Sequence, residues 1–275
     1  MVDASLGAVI GYFLGSIPFG LLLCLAMGKG DVRKIGSGNI GATNVLRTGS
    51  KPLAILTLFL DAGKAAAAVY VARWLFRDSN VQTMGAAFTS GAPEAVSKVA
   101  PVDGVNGELG AIDGALDADL LGQMDYTIMP VDDTALYPVL AAGLAAMIGH
   151  MYPIWLKGRG GKGVATFIGM VCSMTTFVGL GVCVIWLSIA AVMRISSLSA
   201  LCAVLSAPLV AWALYGDAYA VVYAVAAALV WYKHKDNIRR LIAGTEPRIG
   251  DKTAVSSSSS ASTLNDSGAD ESAAH

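Results

Sequence analysis

The sequence predicts an all-α integral membrane protein, a bundle of seven transmembrane helices with polar loops on its cytoplasmic side. Of its 275 residues 55% are hydrophobic and only 14% charged, where a soluble domain carries about a quarter charged residues. The apolar residues are also gathered into long runs, and Lys and Arg concentrate in alternate gaps between them. A net charge of −1 gives no hint of a nucleic-acid partner. Cys24, Cys172, Cys183 and Cys202 sit inside apolar runs without C-x-x-C or Cys/His spacing. They read as small buried hydrophobes, neither disulfides nor a metal site.

The first span, about Ala4 to Met27, is long enough for a hydrocarbon core of roughly 30 Å. No Lys or Arg precedes it and no small-residue cleavage pattern is evident, so it reads as a span and not a signal peptide. Gly7, Gly11 and Gly15 recur every four residues and predict close approach of a neighbouring helix. Pro18 predicts a kink. Next comes a polar loop, Gly36 to Arg47, GSGNIGATNVLR. Its glycines permit close backbone approach, and Ser37, Asn39, Thr43 and Asn44 offer short polar side chains beside the Arg47 guanidinium. That is equipment for holding a phosphate, although the same composition also makes a plain turn.

A second span runs from about Pro52 to Phe76 and carries Asp61 and Lys64, three residues apart on one face. A charge near the bilayer centre costs about 2.5–3.5 kcal/mol on insertion scales, so the pair faces the bundle interior, as a brace or as a substrate contact. From Asp78 to Asp133 the chain turns acidic, with Lys98 its only basic residue and no stretch long enough to span. This reads as an exposed insertion. The D-x-[DN]-x-[DN]-G spacing of a calcium loop is missing.

The third span, about Leu136 to Tyr152, leads into GHMYPIWLKGRGGKGVAT, Gly149 to Thr166. Here Lys157, Arg159 and Lys162 lie among four glycines just before a helix begins, an arrangement open to anions. A P-loop is ruled out, because Leu156 stands where its first glycine should fall and Gly163 follows the lysine. The apolar stretch from Val164 to Met193 is too long for one crossing; Gly179 and Gly181 predict a split into spans near 164–178 and 180–194. Spans at about Ser197 to Leu214 and Ala218 to Tyr232 complete the seven. A third polar motif, KHKDNIRRLIAGTEPRIG, covers Lys233 to Gly250. The organisation is therefore a membrane domain over 1–250, interrupted by the insertion 78–133, and a Ser-rich cytoplasmic tail over 251–275 that cannot fold alone.

With the N-terminus outside, the inside segments are 28–51, 153–163, the turn at Arg194 and 233–275, and they hold fifteen of the 19 Lys and Arg residues. All three polar motifs then share the cytoplasmic face. That points to a site where a soluble phosphate-bearing molecule meets a lipid.

The three motifs resemble those of the bacterial acyl-phosphate:glycerol-3-phosphate acyltransferases, the PlsY family, over about 11–77 and 134–250. The resemblance implies transfer of an acyl chain from acyl phosphate to the 1-hydroxyl of glycerol 3-phosphate, giving lysophosphatidate and phosphate in a bacterial inner membrane, with no cofactor or metal. It implies that Ser37, Arg47 and Lys162 hold phosphate and that Asn39, Thr43 and Asn44 shape the substrate pocket. It also implies that His234 and Asn237 act with Lys162 at the reacting groups. For His150 a structural hydrogen bond and a catalytic role are both open. The insertion, and Ala65 where glycine is expected, depart from the family pattern. The H-x-x-x-x-D signature of other acyltransferases fails, with Trp155 five residues after His150 and Arg239 five after His234. An organic-phosphate transporter is the alternative from a different class; its site is expected near the midplane between internal repeats, and none is found.

Overall fold

The computed structural model describes residues 2–76 and 133–249. The expected insertion, apart from Asp133, and the expected tail lie outside them. Every regular element among the described residues is helical. In order they are α1 (Val2–Gly15), α2 (Phe19–Ala26), α3 (Ala42–Val45), α4 (Lys51–Phe76), α5 (Asp133–Met151), α6 (Val164–Met174), α7 (Thr176–Met193), α8 (Ser196–Tyr215), α9 (Asp217–Lys233) and α10 (Lys235–Ile242).

Five stretches among these residues are long and apolar enough to cross a membrane, namely Asp3–Ala26, Lys51–Phe76, Ala135–Leu156, Thr176–Met193 and Ser196–Tyr215. The other two expected spans are α6 and α9, of 11 and 17 residues. At 1.5 Å per residue they are about 16 and 25 Å long, short of the hydrocarbon core. Length alone therefore yields five crossings where the sequence predicts seven.

The glycine row of α1 does what its spacing predicts. A Cβ at Gly7, Gly11 or Gly15 would come within 2.5, 2.0 or 1.9 Å of the carbonyl oxygens of Pro138, Ala142 and Ala146, so α1 and α5 pack backbone to backbone, and run parallel. Ala65, Ala68, Val69 and Ala72 present a small-residue face of α4 to the main core, where Val139 and Met147 of α5, Phe167 and Met170 of α6, and Tyr223 of α9 are fully buried. Facing outward, Phe59, Val192 and Leu209 are exposed apolar side chains, as a lipid-facing surface requires.

Pro18 breaks the first span instead of merely kinking it, since its ring cannot donate to the preceding turn. The carbonyls freed at the break are capped from elsewhere: Trp155 Nε1 donates to Ser16 O and Lys64 Nζ to Ile17 O, each at 2.8 Å. The expected split at Gly179 and Gly181 falls instead at Thr175, which leaves helical geometry with φ −140 and ψ 89. There Thr175 Oγ1 pairs with the Tyr223 hydroxyl at 2.7 Å and Arg73 donates to Met174 O at 3.2 Å. Gly179 serves close packing instead, because a Cβ there would meet Cys172 Cα at 2.6 Å and its absence lets α7 fold back against α6. All four cysteines are free, but only Cys24 is buried. Cys172 and Cys183 are half-buried and Cys202 is exposed, because α6 to α8 turn part of their surface outward.

Candidate active site

The first motif folds around one amide. Asn44, buried on α3, donates from Nδ2 to the carbonyls of Val32, Ile35 and Asn39 at 2.8, 3.0 and 2.7 Å. Its Oδ1 accepts from the Ser37 backbone N–H at 3.2 Å and the Ser37 hydroxyl at 3.4 Å. Asn44 thus uses its amide donors and its oxygen to hold the loop closed. Gly36, at φ +54, lets the Arg47 side chain lie against the loop, since a Cβ there would reach Arg47 Nη1 at 2.3 Å. A small core of Val32, Ile40 and Val45 against Leu21 and Cys24, with Leu156 of the second motif packed on it, anchors this loop to α2. Ser37, Thr43 and Arg47 are exposed, and Asn39 Oδ1 is buried without a partner among the described residues.

The second motif turns inward. The backbone N–H groups of Gly160 and Gly161 donate to Met151 O and His150 O at 3.2 and 2.9 Å, which satisfies non-helical backbone inside the bundle. His150 is itself buried, its Nδ1 2.9 Å from Lys64 Nζ. Lys64 Nζ also donates to Asp61 Oδ1 at 2.7 Å. The expected interior pair is therefore a buried ion pair extended to His150, and it braces α4, α5 and the Pro18 break. Lys233 Nζ adds a hydrogen bond to Met151 O at 3.1 Å, tying the end of α9 to the same corner.

The third motif meets the second at Lys162. Lys162 Nζ donates to Asn237 Oδ1, and Asn237 Nδ2 donates to Glu246 Oε1. That pairing fixes which way the amide faces, and an ionised aspartate at 237 would lose the donor to Glu246 and set two carboxylates against each other. Glu246 also accepts from the Ser197 hydroxyl and from Arg240 Nε, each at 2.7 Å. His234, buried where α9 turns into α10, lies with Nδ1 2.7 Å from Val230 O. A carbonyl can only accept, so Nδ1 carries the proton and Nε2 keeps its lone pair. The turn at Arg194 joins the same end, with Arg194 donating to Ile249 O at 2.8 Å and Ile249 N–H donating to Arg194 O at 2.6 Å.

Charge follows from this packing. Burial pulls the Lys162 ammonium from 10.5 down to about 8; Glu246 and Asp236 resist the shift while Arg240 and Arg47 reinforce it. The first and second motifs meet where Leu156 packs on the core of Val32, Ile40 and Val45, and Arg47 adds to the positive charge around Lys162. Burial also lowers His234 to about 4, against the Val230 carbonyl and with Lys162 nearby, so its imidazole is neutral at pH 7. For Glu246 burial pushes the carboxyl up, but hydrogen bonds from Ser197, Asn237 and Arg240 outweigh it and hold it below the ordinary carboxylate value.

Arg47, Lys162, His234 and Asn237 thus gather at one end of the bundle, while Ser37, Asn39 and Asn44 build the loop that carries Arg47. Thr43 is exposed on α3. Sequence reasoning assigned no role to Glu246, Ser197 or Arg240. The signal was present for one of them: Glu246 is one of only two acids in the third motif, and it follows a helix rich in cations.

Residues 5–99 and 115–244 match the family model described as glycerol-3-phosphate acyltransferase. The match enters the acidic insertion from both sides. The chain is similar to the glycerol-3-phosphate acyltransferase of Allorhizobium ampelinum, 43% identical over 243 residues that cover 88% of this chain and 90% of that protein. A second relative of the same name, from Agrobacterium fabrum, is 41% identical over 250 residues, 90% of this chain and 93% of its own. Among solved structures, the chain resembles PlsY, an integral membrane glycerol 3-phosphate acyltransferase, in its glycerol 3-phosphate form, with a TM-score of 0.64, 29% identity, and coverage of 90% of this chain and 96% of that one.

Proposed function

We propose, from the premise that this chain belongs to the glycerol-3-phosphate acyltransferase family and is a membrane enzyme transferring an acyl chain to glycerol 3-phosphate, that its donor is an acyl phosphate. The site supports this donor. Arg47 and Lys162 supply cations at one end of the bundle, with Arg240 held there by Glu246, beside a neutral imidazole with a free lone pair. Arg47 and Ser37 hold the phosphate of glycerol 3-phosphate. Lys162 neutralises the acyl phosphate, and Asn39 lines the pocket while Thr43 borders it and Asn44 holds it in shape. Asn237 acts by orienting Lys162, since both ends of its amide are engaged by Lys162 and Glu246.

His234 Nε2 takes the proton from the 1-hydroxyl as its oxygen attacks the acyl carbonyl. The C–O bond to phosphate breaks, and phosphate leaves with the charge that Lys162 stabilises. The donor is already a mixed anhydride, so direct transfer suffices and no acyl-enzyme is required. The relatives named for acyl transfer leave the organic-phosphate transporter without support. Purified protein given glycerol 3-phosphate and either acyl phosphate or acyl-CoA tests the donor. Lysophosphatidate is expected only with acyl phosphate, and its formation from acyl-CoA alone would overturn the assignment.

Arg47→Lys is expected to raise KM for glycerol 3-phosphate about tenfold or more, because a planar guanidinium grips phosphate through two bonds and an ammonium does not. A wild-type KM would remove Arg47 from the phosphate.

α6 and α9 complete seven crossings, with the motif end in the cytoplasm and the N-terminus outside the inner membrane. This reading is supported by the Arg194 turn and Lys233 lying at the motif end of α7 and α9 and by the cations gathered there. Asp217→Cys and Thr245→Cys, each exposed, are made in a background without the native cysteines and probed with an impermeant thiol reagent. Asp217→Cys should label from outside and Thr245→Cys only from the cytoplasm; the reverse pattern would invert the topology.

A further inference from the structure

We propose that His150 is a positioning residue for Lys162: the ring, held by Lys64 and Asp61, is the seat for the Gly160–Gly161 backbone and so sets how deep the Lys162 ammonium lies. The inference rests on the reading of Lys162 as the group that neutralises phosphate. The ion pair and His150 are buried and lie outside the reaction described above, yet they contact its machinery directly. A Cβ at Gly161 would come 1.9 Å from His150 Nε2, and one at Gly160 would come 2.1 Å from His150 O. Only glycine lets the chain lie this close, and Lys162 is the next residue along.

The ring in turn cannot shift freely. Lys64 Nζ divides its three donors among Asp61 Oδ1, Ile17 O and His150 Nδ1 at 2.7, 2.8 and 2.9 Å. Asp61 stands ten residues into α4, so the seat lies roughly 15 Å from the motif end of that helix. A buried ion pair in mid-span thereby fixes the depth of a loop residue that reaches back to Asn237.

The test uses His150→Asn, Gly161→Ala and the double variant in full-length protein reconstituted in nanodiscs. Asparagine can still accept from Lys64 through Oδ1 but lacks the ring edge under Gly161. Each single variant is expected to lose about a hundredfold in kcat/KM, the scale of a misplacement near 1 Å. The double variant is expected to lose no more than the worse single, because the added methyl enters the space the ring vacates. Losses that multiply would overturn the proposal.

A second readout separates positioning from mere stability. The alkaline limb of kcat/KM is set by Lys162 against Glu246, Asp236, Arg240, Arg47 and His234, none of which is changed. In His150→Asn it should move from about 8 towards the ordinary 10.5. Activity that falls only in step with the thermal midpoint, with the limb unmoved, would make His150 purely structural. Lys162→Met run alongside distinguishes the two failures. If it stays active, the reading of Lys162 fails. If it is inactive while His150→Asn behaves as wild type, only the proposal about His150 fails.

Discussion

Lys162→Met is expected to lower kcat/KM for glycerol 3-phosphate acylation by about 10²–10³-fold, the usual effect of removing one group aimed at developing charge. Methionine keeps most of the side-chain volume but removes the cation, and the neighbouring cations among the described residues are committed elsewhere: Arg240 is engaged by Glu246 at 2.7 Å, and Arg47 is the residue proposed above to hold the phosphate of glycerol 3-phosphate. The same residue predicts an alkaline limit. Its ammonium sits near 8 in the free enzyme because burial lowers it, so the cation is present below that pH and lost as pH rises through it. kcat/KM should fall above about pH 8 in wild type. Activity in Lys162→Met within a few-fold of wild type, or a wild-type profile flat to pH 10, would each contradict this role.

His234→Gln is expected to lower kcat by about 10²–10⁴-fold, the range for loss of a positioned general base, with KM for glycerol 3-phosphate changing little. Glutamine can still donate to the Val230 carbonyl, so the α9–α10 corner is kept while the basic lone pair is lost. Burial holds His234 near 4; it is neutral above that value and would be disabled only as pH falls through it. Wild type should therefore show no limb from His234 between pH 5 and 8. A limb near pH 6 belongs to the substrate, whose phosphate monoester takes up its second proton there. A His234→Gln enzyme with wild-type kcat would transfer the base role to a substrate phosphate oxygen.

The motifs were legible as lengths of chain because hydropathy and charge are local. Asp61 and Lys64, three apart in an apolar run, had to face inward for lack of any other affordable place, and they do. The glycines of α1 declared a packing face by their period alone, and Asn44, Arg47 and Lys162 stood out as polar groups in glycine-rich loops bordering spans, whereas His234 and Asn237 were singled out within the third motif only by the family resemblance. Less local matters misled the reading. Gly179 and Gly181 looked like a break, but the break is at Thr175, where Tyr223, 48 residues away, offers a hydroxyl partner. No window on the sequence around Thr175 contains that partner.

What the sequence determined by itself is the membrane bundle, the existence of three polar motifs and their gathering at one face, because the length of an apolar run and the sign of a loop's charge are properties of contiguous residues. What only the tertiary structure decided is how those motifs are wired. Lys162 and Asn237 lie 75 residues apart and Lys64 and His150 lie 86 apart. Whether such side chains come within hydrogen-bonding distance depends on how closely α4, α5, α6 and α9 approach, and that distance is set by glycines and alanines whose packing carries no chemistry of its own.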